Sequence, residues 1–152
     1  MFVDLESSQG EWFTFRMSTI DQATGEIVWG EPRDGVRVCI RSWKPFFEEL
    51  IGAREQIVEW KINPKTRQNE RHVYPKDLTP EEKRQERGDA IDFAITGLEG
   101  WGDKKTRKPI ECTRENKLAL MAKDFFDRFF VDCIQTIDTR AIEFKEGLEK
   151  NS

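Results

Sequence analysis

Few side chains in this sequence stand at a spacing that does chemistry. Glu143-Phe144-Lys145 has the Glu-x-Lys form of one nuclease superfamily, but no strand-borne aspartate stands upstream to share a metal ion with Glu143. Glu99 and Asp103 flank a glycine turn, where paired carboxylates are ordinarily solvated, and nothing adds a third metal ligand. The sole histidine, His72, has no neighbouring cysteine or histidine and reads as a surface strand residue. Cys39, Cys112 and Cys133 are an odd number, widely spaced, with no CxxC pair. No phosphate-cradling glycine loop, nucleophile elbow or HExxH motif occurs. The expectation is therefore a non-enzymatic chain with no catalytic residue, no metal and no cofactor.

The elements that would position any site come from composition and pattern. A length of 152 residues suggests one domain with a real core. Eleven Phe and five Trp argue against disorder, even though 36% of the residues are charged. A net charge of −4 gives no global case for nucleic acid. Charge is uneven: residues 1–31 hold six acids and one base, and residues 61–76 hold five bases and one acid. Such asymmetry suits a docking or self-associating surface, and it also suits plain solvated loops. The lack of a signal peptide, of a long apolar run and of paired cysteines points to the cytoplasm and away from a membrane.

In chain order, Trp12, Phe13, Phe15 and Met17 supply a strand, Ala23–Glu26 a turn, and Glu26–Trp29 the returning strand. Gly30–Gly35 (GEPRDG) reads as a second break before a strand alternating Val36, Val38 and Ile40. A short helix is expected over 45–52. Gln56–Lys61 and Glu70–Tyr74 read as a second, basic hairpin around Asn63-Pro64-Lys65-Thr66-Arg67. Thr79-Pro80-Glu81-Glu82 is a capping box with proline in the first turn. The helix it opens is expected to run to Leu98, ended by Gly97, Gly100 and Gly102. No internal repeat is visible, and the last dozen residues read as a charged, fraying tail. The fold class is α+β: N-terminal antiparallel hairpins (11–76) packed with C-terminal helices (79–148), the latter a helix-loop-helix elbow and a long Phe-rich helix.

That long helix starts at the Thr113 cap, with Glu115 favoured in its first turn. Leu118, Met121, Ala122, Phe125, Phe129, Cys133 and Ile137 recur on one face, widened by Phe126, Phe130 and Ile134. One reading makes this the core helix of a small domain. The other makes part of the arc a docking or oligomer surface, with Trp101, Met121, Phe125, Phe126, Phe129, Phe130 and Ile134 as candidate partner-binding residues.

The stretch from Ile95 to Ile137 also resembles the tail assembly chaperones of long-tailed bacteriophages and prophages. The matching residues are Ile95, Thr96, Leu98, Glu99, Gly100, Trp101 and Asp103, then Pro109, Ile110, Cys112, Thr113, Glu115, Asn116, Lys117, Leu118 and Leu120, and a closing Phe125–Val131. The family's tryptophan usually precedes its Glu-Gly pair; here Leu98 takes that slot and Trp101 follows. The resemblance implies a chaperone that coats the helical tape measure protein, promotes tail tube assembly and often self-associates. A structural virion subunit of the tail or head-tail connector, or a generic protein-binding domain, are the alternatives.

Overall fold

A computed structural model describes residues 10–150. Its elements are β1 (Glu11–Ile20), β2 (Ile27–Ile40), α1 (Lys44–Ala53), β3 (Gln56–Ile62), β4 (Asn69–Pro75), α2 (Pro80–Ala94), β5 (Ile95–Glu99), α3 (Arg114–Met121) and α4 (Asp124–Lys150). The class is α+β: an antiparallel sheet in the order β1-β2-β5 packs against the C-terminal helices, and β3 and β4 form a separate two-stranded ribbon.

Local signals place several elements where they were expected. The Thr79 hydroxyl accepts from the Glu82 amide, and the Glu82 carboxylate accepts from the Thr79 amide, so the capping box starts α2. Those bonds hold the Glu82 carboxyl below its ordinary range. Thr113 caps α3 by accepting from the Asn116 amide.

Four expectations are corrected. First, α2 ends at Ala94 and the chain enters β5 with no loop, because Ile95–Glu99 finds its hydrogen bonds on β2. Gly97 fits there because Trp12 lies over it: a Cβ would stand 2.6 Å from the indole. The expected helix-loop-helix elbow is thus helix, strand, loop and helix. Second, GEPRDG does not break the sheet. β2 runs through it, and register shifts opposite Thr14–Ser18 absorb the irregularity. Third, the Phe-rich helix is two helices, interrupted at Ala122-Lys123, where the Lys123 carbonyl accepts from the amides of both Phe126 and Asp127. Fourth, the expected charged tail is helical through Lys150; Asn151 and Ser152 lie outside the described residues, as does the acidic start at residues 1–9.

One turn recurs three times, at Asp21–Glu26, Asn63–Gln68 and Asp103–Lys108. In each, the first residue's amide bonds the sixth residue's carbonyl and its carbonyl accepts from the fifth residue's amide. Its side-chain oxygen accepts from the third residue's amide, and a threonine hydroxyl at the fourth place accepts from the sixth residue's amide. The fifth place is left-handed: Gly25 at φ 73°, Arg67 at 57°, Arg107 at 59°.

The core lies between the three-stranded sheet and α4. Phe15 is its hub, edge-on to Trp101 at 4.8 Å, Phe129 at 5.1 Å and Phe125 at 6.0 Å. The Trp101 indole N–H donates to the Arg37 carbonyl at 3.1 Å, so its polar edge is satisfied. Lys117 is also buried; its ammonium donates to the Asp92 carboxylate at 2.9 Å and to the Asp92 carbonyl at 3.0 Å.

Cys39 and Cys133 are buried and Cys112 is exposed. Burial pushes the Cys133 thiol up to about 12. In the native protein one thiol should therefore react promptly with a water-soluble disulfide reagent, and all three once the chain is unfolded. Prompt reaction of three thiols in the native state would contradict this packing.

Candidate protein-docking surfaces

The seven side chains expected to bind a partner come together in space, but as core. Phe126 and Phe130 are fully buried, and Met121, Phe129 and Ile134 are nearly so. Trp101 and Phe125 are half-buried against the same cluster. The helical period correctly marks one apolar face; the sheet, through Phe15, covers it. Of the two readings of this arc, the burial favours the core helix, and little of it is left open for docking. Met121 and Phe130 do reach the wall of a cleft of ≈ 820 Å³ between α1, α2, α4 and the root of the ribbon, with Trp43, Ile91 and Val131. Arg54 and Glu86 form an ion pair at the same cleft, while the Arg54 Nε is buried with no partner among the described residues.

Besides Trp12, Ile51 and Val131, which are exposed singly, large apolar side chains are exposed in groups at three places among the described residues. The first is the far end of α4. Ile137, Ala141, Phe144 and Leu148 continue the spacing of Phe126, Phe130 and Cys133 along one stripe. Among the described residues the last hydrogen bond and ion pair from α4 to the body are at Asp138, bonded by Ser42, and Arg140, paired with Glu11. Beyond them Phe144 is 71% exposed and Leu148 57%. Composition marks this segment as charged, which hides a stripe of one apolar residue every three or four; the spacing was the signal that could have found it.

The second place is the β3–β4 ribbon. Val58 stands opposite Val73 in the register, and alternation puts Trp60 and Ile62 on the same exposed face. On the other face the Tyr74 hydroxyl donates to Glu59, which lowers the Glu59 carboxyl and raises the Tyr74 phenol. His72 lies 3.8 Å from Glu70 on this open strand. The third place is the end of the β1–β2 hairpin, where Ile20 faces Ile27 and Val28 follows, all exposed.

The residues first considered for chemistry have other occupations. Glu99 is ion-paired with Arg37, and Asp103 closes its turn. Glu143 and Lys145 are exposed on α4, a helix and not a strand. Among the described residues no group of three His, Cys, Asp or Glu could hold a metal ion, and no helix is long and apolar enough to cross a membrane. No family model, curated protein or solved structure matches the chain.

Proposed function

We propose that this chain is a non-enzymatic assembly protein of the phage or prophage tail, working in the host cytoplasm. In this reading it is a chaperone that binds the long, helical tape measure protein and promotes tail tube assembly. One observation carries it: α4 leaves the body with its apolar stripe unpartnered among the described residues. A stripe at three-and-four spacing is the complement of another amphipathic helix, which can lie along it for three turns. A helical client with repeated apolar stripes would offer such a helix many times over. The resemblance of Ile95–Ile137 supplies the identity of that client.

The test is a Phe144→Ser/Leu148→Ser variant. Both side chains are exposed, so the fold should be kept. Burying each against a partner helix is worth about 1.5–3 kcal/mol, so client binding should weaken by roughly 100-fold or more. The readout is co-purification and titration with a helical fragment of a tape measure protein, the client this reading names. Unchanged binding by the folded variant would remove α4 from the interface.

The ribbon supports a second reading, a structural subunit of the tail or head-tail connector, because among the described residues neither of its edges is paired. Recovery of the protein in finished particles would favour that reading, since an assembly chaperone leaves.

A further inference from the structure

We propose that copies of this chain assemble head to tail, the acidic end of the β1–β2 hairpin of one copy seating on the basic, apolar-faced β3–β4 ribbon of the next. This inference stands independently of the tail-assembly reading, because it uses neither α4 nor the Ile95–Ile137 resemblance.

The ribbon lacks what a two-stranded sheet ordinarily needs. Such a sheet is marginal in water unless a third strand or a packed face supports it. Among the described residues no third strand joins β3 and β4. One face carries Val58, Trp60, Ile62 and Val73, with Trp60 66% and Ile62 68% exposed. Around that face stand Lys65, Arg67 and Arg71, none of which has a carboxylate within ion-pair distance among the described residues. The surface is thus an apolar centre with a cationic rim, the arrangement of a protein interface.

The occupant it fits has an apolar centre and an anionic rim, and the same chain carries one. The end of the β1–β2 hairpin exposes Ile20, Ile27 and Val28. Residues 19–34 hold four carboxylates (Asp21, Glu26, Glu31 and Asp34) against one arginine. None of the four makes an ion pair among the described residues.

The shared turn geometry sharpens the contrast. At the left-handed fifth place the acidic turn has Gly25, where the ribbon has Arg67. A side chain costs about 1 kcal/mol in that conformation, so the cationic tip is kept against a backbone preference. The Asp103–Lys108 turn is also basic but is flanked by Gly102 and Pro109, with no exposed large apolar residue beside it. The aliphatic Val58, Ile62 and Val73 beside the cations, with an acidic apolar surface on the same chain to meet them, favour a protein over a nucleic acid at the ribbon. The contact joins two different surfaces, so copies either close into a ring or continue as a chain.

Sedimentation velocity tests this with two charge-reversed variants. One is Lys65→Glu/Arg67→Glu/Arg71→Glu. The other is Glu26→Lys/Glu31→Lys/Asp34→Lys, which spares Asp21 because that side chain closes the turn. The wild-type protein should associate with concentration, and salt should weaken the association as the screening length falls from roughly 30 Å at 0.01 M to roughly 3 Å at 1 M. Each variant alone should sediment as a monomer with unchanged circular dichroism. An equimolar mixture should associate again, because each acquires the charge that the other lost. Should either variant fail to fold, Trp60→Ser/Ile62→Ser replaces it and should weaken association at least tenfold. A monomeric wild type at low salt overturns the proposal. So does association that survives both reversals, or a mixture of folded variants that stays monomeric. A wild type that binds a DNA or RNA oligonucleotide through the ribbon, yet does not self-associate, overturns it in favour of nucleic acid.

Discussion

Replacing Phe126 and Phe130 together by serine should unfold this protein, not disarm a binding surface. Both rings are fully buried, Phe126 edge-on to Trp101 at 5.3 Å and Phe130 to Trp43 at 5.2 Å. Removing one buried phenylalanine costs about 3–5 kcal/mol. A serine hydroxyl left there without a partner adds about 1–3 kcal/mol. The two sites are one helical turn apart and share a core, so their costs do not simply add. Even so, the combined loss of more than about 6 kcal/mol reaches the roughly 5–15 kcal/mol that holds an ordinary domain together. The variant should show no cooperative urea transition at 25 °C. A wild-type-like transition would mean that these rings are not core, and would return them to the list of docking residues.

The second large effect is expected at Gly100. Its φ is +76°, and a Cβ built there would stand 2.1 Å from the Gly35 carbonyl oxygen. The neighbouring chain cannot step aside freely. Arg37 and Val38 of β2 pair with Glu99 and Leu98, and the Trp101 indole holds the Arg37 carbonyl. Gly100→Ala therefore meets a left-handed backbone cost of about 1 kcal/mol and a clash of about 1–3 kcal/mol. At roughly 2–4 °C per kcal/mol for a domain of this size, Tm should fall by roughly 4–16 °C. Gly25→Ala is the control. It has a similar φ of +73° but open space around the Cβ, so only the backbone cost of about 1 kcal/mol remains. Equal losses at the two positions would show that the close approach of Gly100 to Gly35 does not hold.

What could be read from the sequence was what is decided locally. The capping box at Thr79, the loop at Asn63–Arg67 and the cap at Thr113 act within a few residues, and their elements formed where expected. By pattern alone β5 reads as helix, because Ile95 and Thr96 continue α2 with no breaker between them and Ala94; its strand state is set by β2, more than fifty residues away. GEPRDG looks like a boundary by composition, yet pairing with β1 carries the strand across it. The interruption at Ala122-Lys123 has neither glycine nor proline to announce it. The site suffered from the same limit. Period identifies an apolar face but not its cover, so Phe126 and Phe130 read as core helix or as docking arc, and only Trp101, Trp43 and the sheet decide between them. The open stripe at Phe144 and Leu148 was hidden under the charges around it. The three equivalent turns share only an Asp or Asn and a Thr three places later, too little to show as a repeat before their hydrogen bonds are seen.

The position of Phe15 at the centre of the core makes β1 wait for segments far along the chain. Its ring partners are Trp101, Phe125 and Phe129, so β1 meets its cover only after the chain through Phe129 has been translated. Closing so long a loop is slow, since its entropy is lost before any contact repays it. During synthesis the nascent β1–β2 hairpin therefore carries its apolar face uncovered until α4 emerges. The same face that later holds the native state together is, for that interval, open to misassociation with its neighbours on the polysome.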